Sequence, residues 1–305
     1  MQFLKIPDQP PAPPYGLELN TTMQTVATVV LWLGTVLLLG YAVRMALRDR
    51  SPFPVLLVLA VAVGSIIEPI YDIAYHLHWL DDGEQWTLFT SFGLPQPVWV
   101  MPAYVMVFGL PALLFHRSLA AAPSLRRVFG LAGITACTTA AFEITAINLD
   151  LYVYYGEAPW RIAGYPLWIA FMEAAQITGF AVLAAVLSLR ATRTVHLLAI
   201  FAIFPANFAF DVIGAGFPTI IAQNTSADPD GLLLFLTAFV SVGLAATALW
   251  WSSQLLLTVR RTSLPASAAD GTEPSVEAAA RASSRPSSFV PPRPGTPGRD
   301  HQEIA

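Results

Sequence analysis

Lysine is almost missing from this chain of 305 residues: Lys5 is the only one. A retinal Schiff base needs a lysine inside a late membrane helix, so a rhodopsin is excluded. Cysteine is equally scarce. Cys137 stands alone, which rules out an intrachain disulfide, and a small core residue is its expected role. The five histidines (His76, His78, His116, His196 and His301) form no HExxH pattern, so no metal is expected. The only acidic run, Asp81-Asp82-Gly83-Glu84, lies in a loop without a second such motif. It reads as solvated charge, and no Arg or Lys cluster stands where it could hold a diphosphate. No cofactor and no nucleic-acid partner are expected. Charged residues make up 12% of the chain, against about 25% in a typical soluble domain.

Hydrophobic residues make up 55% of the sequence and the mean hydropathy is +0.58. A membrane span needs about 20 mostly apolar residues. Seven stretches qualify, near 22–43, 54–76, 96–116, 127–148, 164–188, 195–217 and 231–257. The expected fold is an all-α, seven-span polytopic membrane protein of the cell membrane. Arg44, Arg48, Arg50, Arg117, Arg126, Arg127, Arg190, Arg193, Arg260 and Arg261 occupy alternate connections, whereas Asp81, Asp82, Glu84, Glu157, Asp228 and Asp230 occupy the others. The positive-inside rule then places the N-terminus outside and the C-terminus in the cytoplasm. Residues 1–21 form a Pro-rich extracytoplasmic segment without the basic start of a signal peptide, 22–258 the catalytic domain, and 259–305 a Ser/Pro/Ala/Arg-rich tail expected to be disordered.

Five carboxylates lie inside these apolar stretches with no Lys or Arg to neutralise them: Glu68, Asp72, Glu143, Glu173 and Asp211. An intramembrane acid costs at least about 2.5 kcal/mol and by default marks a functional site. A helix rises about 1.5 Å per residue, which places all five at similar depth on four helices. In so apolar a place a neutral carboxylic acid is a directed proton donor. Glu68, Asp72 and His76 recur at i, i+4, i+8; Asn207 and Asp211 at i, i+4; Glu173 and Gln176 at i, i+3. Asn148 follows Glu143 by little more than a turn. Pro69, Pro102, Pro111 and Pro205 are expected to kink their helices and open space between them. Tyr71, Tyr75, Trp99, Tyr104, Trp168 and Phe208 are the aromatics expected to line it, where their faces would stabilise a cation. The connection 76–97, with Trp79, Trp86, Phe89 and Phe92, suits an interfacial lid.

A Glu in the second span, within Glu68-Pro69-Ile70-Tyr71-Asp72, and an Asp late in the sixth, within Asn207-Phe208-Ala209-Phe210-Asp211, resemble the integral-membrane terpene cyclases of meroterpenoid biosynthesis. The resemblance is greatest to the actinobacterial drimentine-type branch, which acts on prenylated indole alkaloids, and it covers roughly residues 20–258 in topology. It implies a metal-independent, class II-type cyclisation of a farnesyl chain on an indole or diketopiperazine head, with Glu68 and Asp211 essential for protonation. Asp211, oriented by Asn207, would then be the donor, Glu68 and Asp72 its support, and Glu143 or Glu173 the final base. The tail and the two extra acids depart from the family pattern. A lycopene-type carotenoid cyclase, a proton-coupled transporter and a seven-helix sensor remain alternatives.

Overall fold

The computed structural model describes residues 11–225 and 228–262. Seven helices are long and apolar enough to cross a membrane: Thr21–Asp49, Phe53–Tyr75, Val100–Ala121, Leu125–Asn148, Leu167–Arg190, Thr194–Ala215 and Gly231–Thr262. The protein is an all-α polytopic membrane protein. A short helix, Phe217–Gln223, precedes the last span. That span continues through residues 259–262, which composition assigns to the tail. The rest of the tail lies outside the described residues.

Local chemistry sets the helix ends. Asn20 caps the first span by accepting from Met23 N at 3.1 Å, and Ser124 caps the fourth by accepting from Arg127 N at 3.2 Å. His76 closes the second span in the left-handed conformation, φ 57°. Three helix irregularities lie beside prolines. Gly64-Ser65 and Pro69 bracket a 3₁₀ turn, Ser65–Ile67, immediately before Glu68. The third span widens to a π-helix over Val105–Gly109, between Pro102 and Pro111. The sixth, with Pro205 inside it, widens over Phe210–Ala215. Such π segments are rare and concentrate at functional sites.

The fifth span is the hub. It packs against the third, fourth, sixth and seventh, and most of its residues are buried. The first span is peripheral: it packs on the second and third and turns Val26, Val29, Val30, Leu33, Val36 and Leu37 outward, as a lipid-facing helix must. Cys137 also faces outward on the fourth span, so it is a surface residue and not part of the core.

The charges divide between the two ends. At one end Arg117 pairs with Asp49 at 3.3 Å, and Arg190 donates to Thr262 Oγ1 at 3.2 Å. At the other end the connections form a structured cap, which hydropathy alone does not reveal. Strand β1 (Leu77–Trp79) is followed by a hairpin of β2 (Thr87–Ser91) and β3 (Leu94–Pro97); β4 (Tyr152–Tyr154) precedes a short pair, β5 (Arg161–Ile162) and β6 (Tyr165–Pro166). β1 and β4 run antiparallel, with Trp79 opposite Tyr152 and Leu77 opposite Tyr154. Successive strand side chains alternate between faces. Leu77, Trp79, Tyr152 and Tyr154 therefore share one face of this ribbon, and His78 and Val153 the other. The chain before the first span is stitched to the cap: Leu19 N donates to Asp82 O and Asn20 N to Asp150 O.

Candidate active site

The inward face of the β1–β4 ribbon roofs a pocket between the second, third, fourth and fifth spans. Glu68, Glu143 and Glu173 line it, with an aromatic wall that includes Trp79, Trp99, Tyr104, Phe108, Tyr152 and Tyr154. The space is narrow. Its volume is about 40 Å³.

Each carboxyl is met by hydrogen-bond donors. Asp72 Oδ2 accepts from Trp79 Nε1 at 2.9 Å and from Gln96 Nε2 at 2.7 Å. Tyr104 donates its hydroxyl to Glu68 Oε2. Tyr154 donates to Glu143 Oε2 at 2.9 Å, and Tyr152 lines the same pocket. Tyr71 and Tyr165 donate to the two oxygens of Glu173, at 3.3 and 3.2 Å. Burial, followed by the nearby charge of Glu143, pushes the cap phenols of Tyr152 and Tyr154 well above the usual tyrosine range. They remain donors at any physiological pH.

Both N–H donors of Asp72 meet its Oδ2, and its Oδ1 has no partner among the described residues. Tyr104 is the hydrogen-bond partner of Glu68, which sits one helical turn before Asp72 on the second span. Glu68 faces the aromatic pocket, whereas Asp72 does not line it.

The structure separates Asp211 from this cluster. Asp211 is 4% exposed and lines a different cavity of about 420 Å³ between the fifth, sixth and seventh spans, with Asn207, Gly179, Phe210, Ala248 and Trp251. The expected single layer of five acids is therefore one group of four, with Asp211 apart. Asn207 does not orient it. The amide of Asn207 donates to Gln176 O at 2.9 Å, and among the described residues no hydrogen bond joins it to Asp211, although both line this cavity. Nor does Gln176 reach Glu173, which Tyr71 and Tyr165 hold instead. Asn148 bonds its own helix at Ile144 O, 2.6 Å away. His76 leaves the acid face because the helix ends there. Its Nε2 lies 3.2 Å from Asn224 Oδ1, and its ring stacks on Tyr155.

Among the aromatics expected to line the site, Tyr71, Trp99 and Tyr104 do so. Phe208 packs behind Tyr71 and Tyr104, with ring centroids 5.0 and 5.9 Å away. Tyr75 and Trp168 pack on each other one layer further back. In the expected lid, Trp79 points inward and is 3% exposed, whereas Trp86 and Phe92 point outward. Tyr165 is among the aromatics that the sequence places near the level of the acids, whereas Tyr152, Tyr154 and Gln96 were not legible as site residues. The alternation Tyr152-Val153-Tyr154 was the available signal for two of them.

Among the described residues, no group of three or more His, Cys, Asp or Glu side chains is placed to hold a metal ion. The arrangement can deliver a proton into an apolar, aromatic space and take one back. No protein-family model, curated protein or solved structure matches this chain.

Proposed function

We infer that this chain is a membrane terpene cyclase that starts ring closure by protonating a prenyl chain. The observation that carries this reading is the group of three buried carboxyls, Glu68, Glu143 and Glu173, on the wall of one aromatic pocket whose lining holds no Lys or Arg. In this reading Glu68 carries the proton, and Asp72, which accepts from Trp79 and Gln96, stays ionised. In the proposed reaction the Glu68 O–H gives its proton to the terminal alkene, and the adjacent carbon becomes cationic. Further double bonds of the chain attack in turn, while the faces of Trp79, Trp99, Tyr104 and Phe108 offset the moving charge by up to about 2 kcal/mol per ring when desolvated. Glu143 or Glu173 removes a proton beside the last cation, and the acid cluster returns it to Glu68. The substrate and product are isomers.

Asp211, on its separate cavity, has no direct part in that first proton transfer. The resemblance to the drimentine-type cyclases favours a farnesyl chain carried on an indole or diketopiperazine head. The arginine-rich end marks the cytoplasmic side by the positive-inside rule, so the acid pocket lies towards the outer face of the cell membrane.

The test is mass spectrometry of membranes carrying the protein, incubated in D2O with a farnesylated indole diketopiperazine. The expected product has the substrate's skeleton and one non-exchangeable deuterium. Turnover of lycopene instead would move the protein to carotenoid chemistry. Proton flux without any product would make it a transporter.

A further inference from the structure

Two wall residues of the acid pocket also belong to a second space. Trp99 and Phe142 line both the acid pocket and an apolar groove of about 180 Å³ on the flank of the bundle. The rest of the groove comes largely from the first and fourth spans, including Val26, Ala27, Val30 and Thr145. Val26 and Val30 are about half exposed there, on the face that meets lipid. Among the described residues, the first and fourth spans do not pack along each other; the first packs on the second and third, and the fourth mainly on the fifth. The seam between them is therefore the place where the fewest contacts must give way. On the inner side, Trp99 is held by Trp79 at 5.2 Å and Tyr152 at 6.2 Å, both roof residues of the acid pocket.

We propose that this groove is the portal through which the hydrocarbon chain of the substrate passes from the bilayer into the acid pocket, with Trp99 and Phe142 as its inner gate. The proposal rests on the cyclase reading for the identity of the chain. Its chemistry fits that occupant, since the groove is apolar apart from Thr145, whose hydroxyl is taken up by Ala141 O at 2.7 Å. A free polar head gains nothing there. A prenyl chain dissolved in lipid loses no hydration by moving in, and the displaced rings of Trp99 and Phe142 remain against hydrocarbon.

Two measurements test the portal separately from the reaction. The first is photolabelling of membranes with a diazirine-bearing farnesyl analogue, with sites mapped by mass spectrometry. Labels are expected on residues 23–31 and 142–146 and to be displaced by unlabelled prenyl substrate; Glu68→Gln should label equally. Even labelling of all lipid-facing helices, including Leu236 of the seventh span, would overturn the portal. The second uses Ala27→Cys in a Cys137→Ser background, necessary because Cys137 is itself exposed. A bulky methanethiosulfonate on Cys at this position should lower turnover by about 10-fold or more, reversed by dithiothreitol, whereas the same reagent on Leu236→Cys should not. Full turnover with the groove blocked would sink the portal and leave the cyclase reading standing. Specific labelling without any cyclised product would do the reverse.

Discussion

Gln96 offers the sharpest test of how the proton is placed. Its Nε2 donates to Asp72 Oδ2 at 2.7 Å, and the side chain is buried without lining the acid pocket. Its own Oε1 finds no donor among the described residues. Gln96→Met keeps most of the volume, removes one of two N–H donors to a buried carboxylate, and also removes an unsatisfied acceptor. The two effects on folding oppose each other, so stability should change little. The effect on Asp72 has no such compensation. A hydrogen bond to a charged group contributes about 1.5–3 kcal/mol. If that stabilisation holds Asp72 ionised and leaves the proton on Glu68, its loss depletes the reactive arrangement by about 10- to 150-fold at most, at 1.36 kcal/mol per factor of ten. The fall should appear in kcat and leave KM in place, because Gln96 does not touch the substrate space. The assay is initial product formation in membranes over a range of prenyl substrate, beside Glu68→Gln as the inactive reference. A kcat within about two-fold of wild type would refute the assignment of the proton. So would a raised KM at constant kcat.

Glu68→Gln should abolish product, and Asp211→Asn should cost far less, since the two acids line different cavities; equal losses measured on one substrate would contradict that division. Gly64→Val should destabilise the bundle by about 1–3 kcal/mol, read as a lower unfolding midpoint in detergent, because a Cβ at Gly64 would overlap the ring of Phe204 across the second and sixth spans. Acid should loosen the cap. Burial holds His76 and His78 below the ordinary imidazole range, so the folded cap favours neutral rings, against smaller opposing effects of Asn224 and Asp81. The unfolded chain takes up protons first as pH falls through about 6.5, so the stability is intact above that value and declines towards the lower folded values. Hydrogen-exchange protection at residues 76–82 and 152–157, taken relative to the intrinsic exchange rate at each pH, should fall between about pH 7.5 and about pH 5.5, and less so in His78→Asn. Unchanged protection in the wild type would count against it.

The membrane fold is legible because it depends on one-dimensional properties. A run of apolar residues has to cross lipid whatever its neighbours do, and the arginines mark one end of the bundle without reference to packing. The grouping of Glu68, Asp72, Glu143 and Glu173 is legible for the same reason, since depth follows from counting residues at a fixed rise. Asp211 shows where counting stops. Depth says nothing about which way a side chain points around the helix, and Asp211 turns to the cavity between the fifth, sixth and seventh spans. The tyrosines of the cap were hidden by their setting. Tyr152 and Tyr154 lie in a connection, where aromatic residues ordinarily mark the headgroup level, and only the pairing of β4 with β1 turns them onto the carboxyls.

The hydrogen bonds to the four acids bear on how such a chain enters a bilayer at all. Asp72 is served by Trp79 and Gln96 and Glu68 by Tyr104, all from the connection or the helix that immediately follows the second span. Glu143 is served by Tyr154 and Glu173 by Tyr165, both from the stretch that joins the fourth and fifth spans. Tyr71 to Glu173 is the bond that crosses between the two helical hairpins. Each hairpin therefore carries its own solvent for its acids. It can leave the insertion machinery with each of those acids already hydrogen-bonded, before the other hairpin has been made. These four acids then need not meet lipid bare during synthesis, and the pocket comes into being only when the two halves dock.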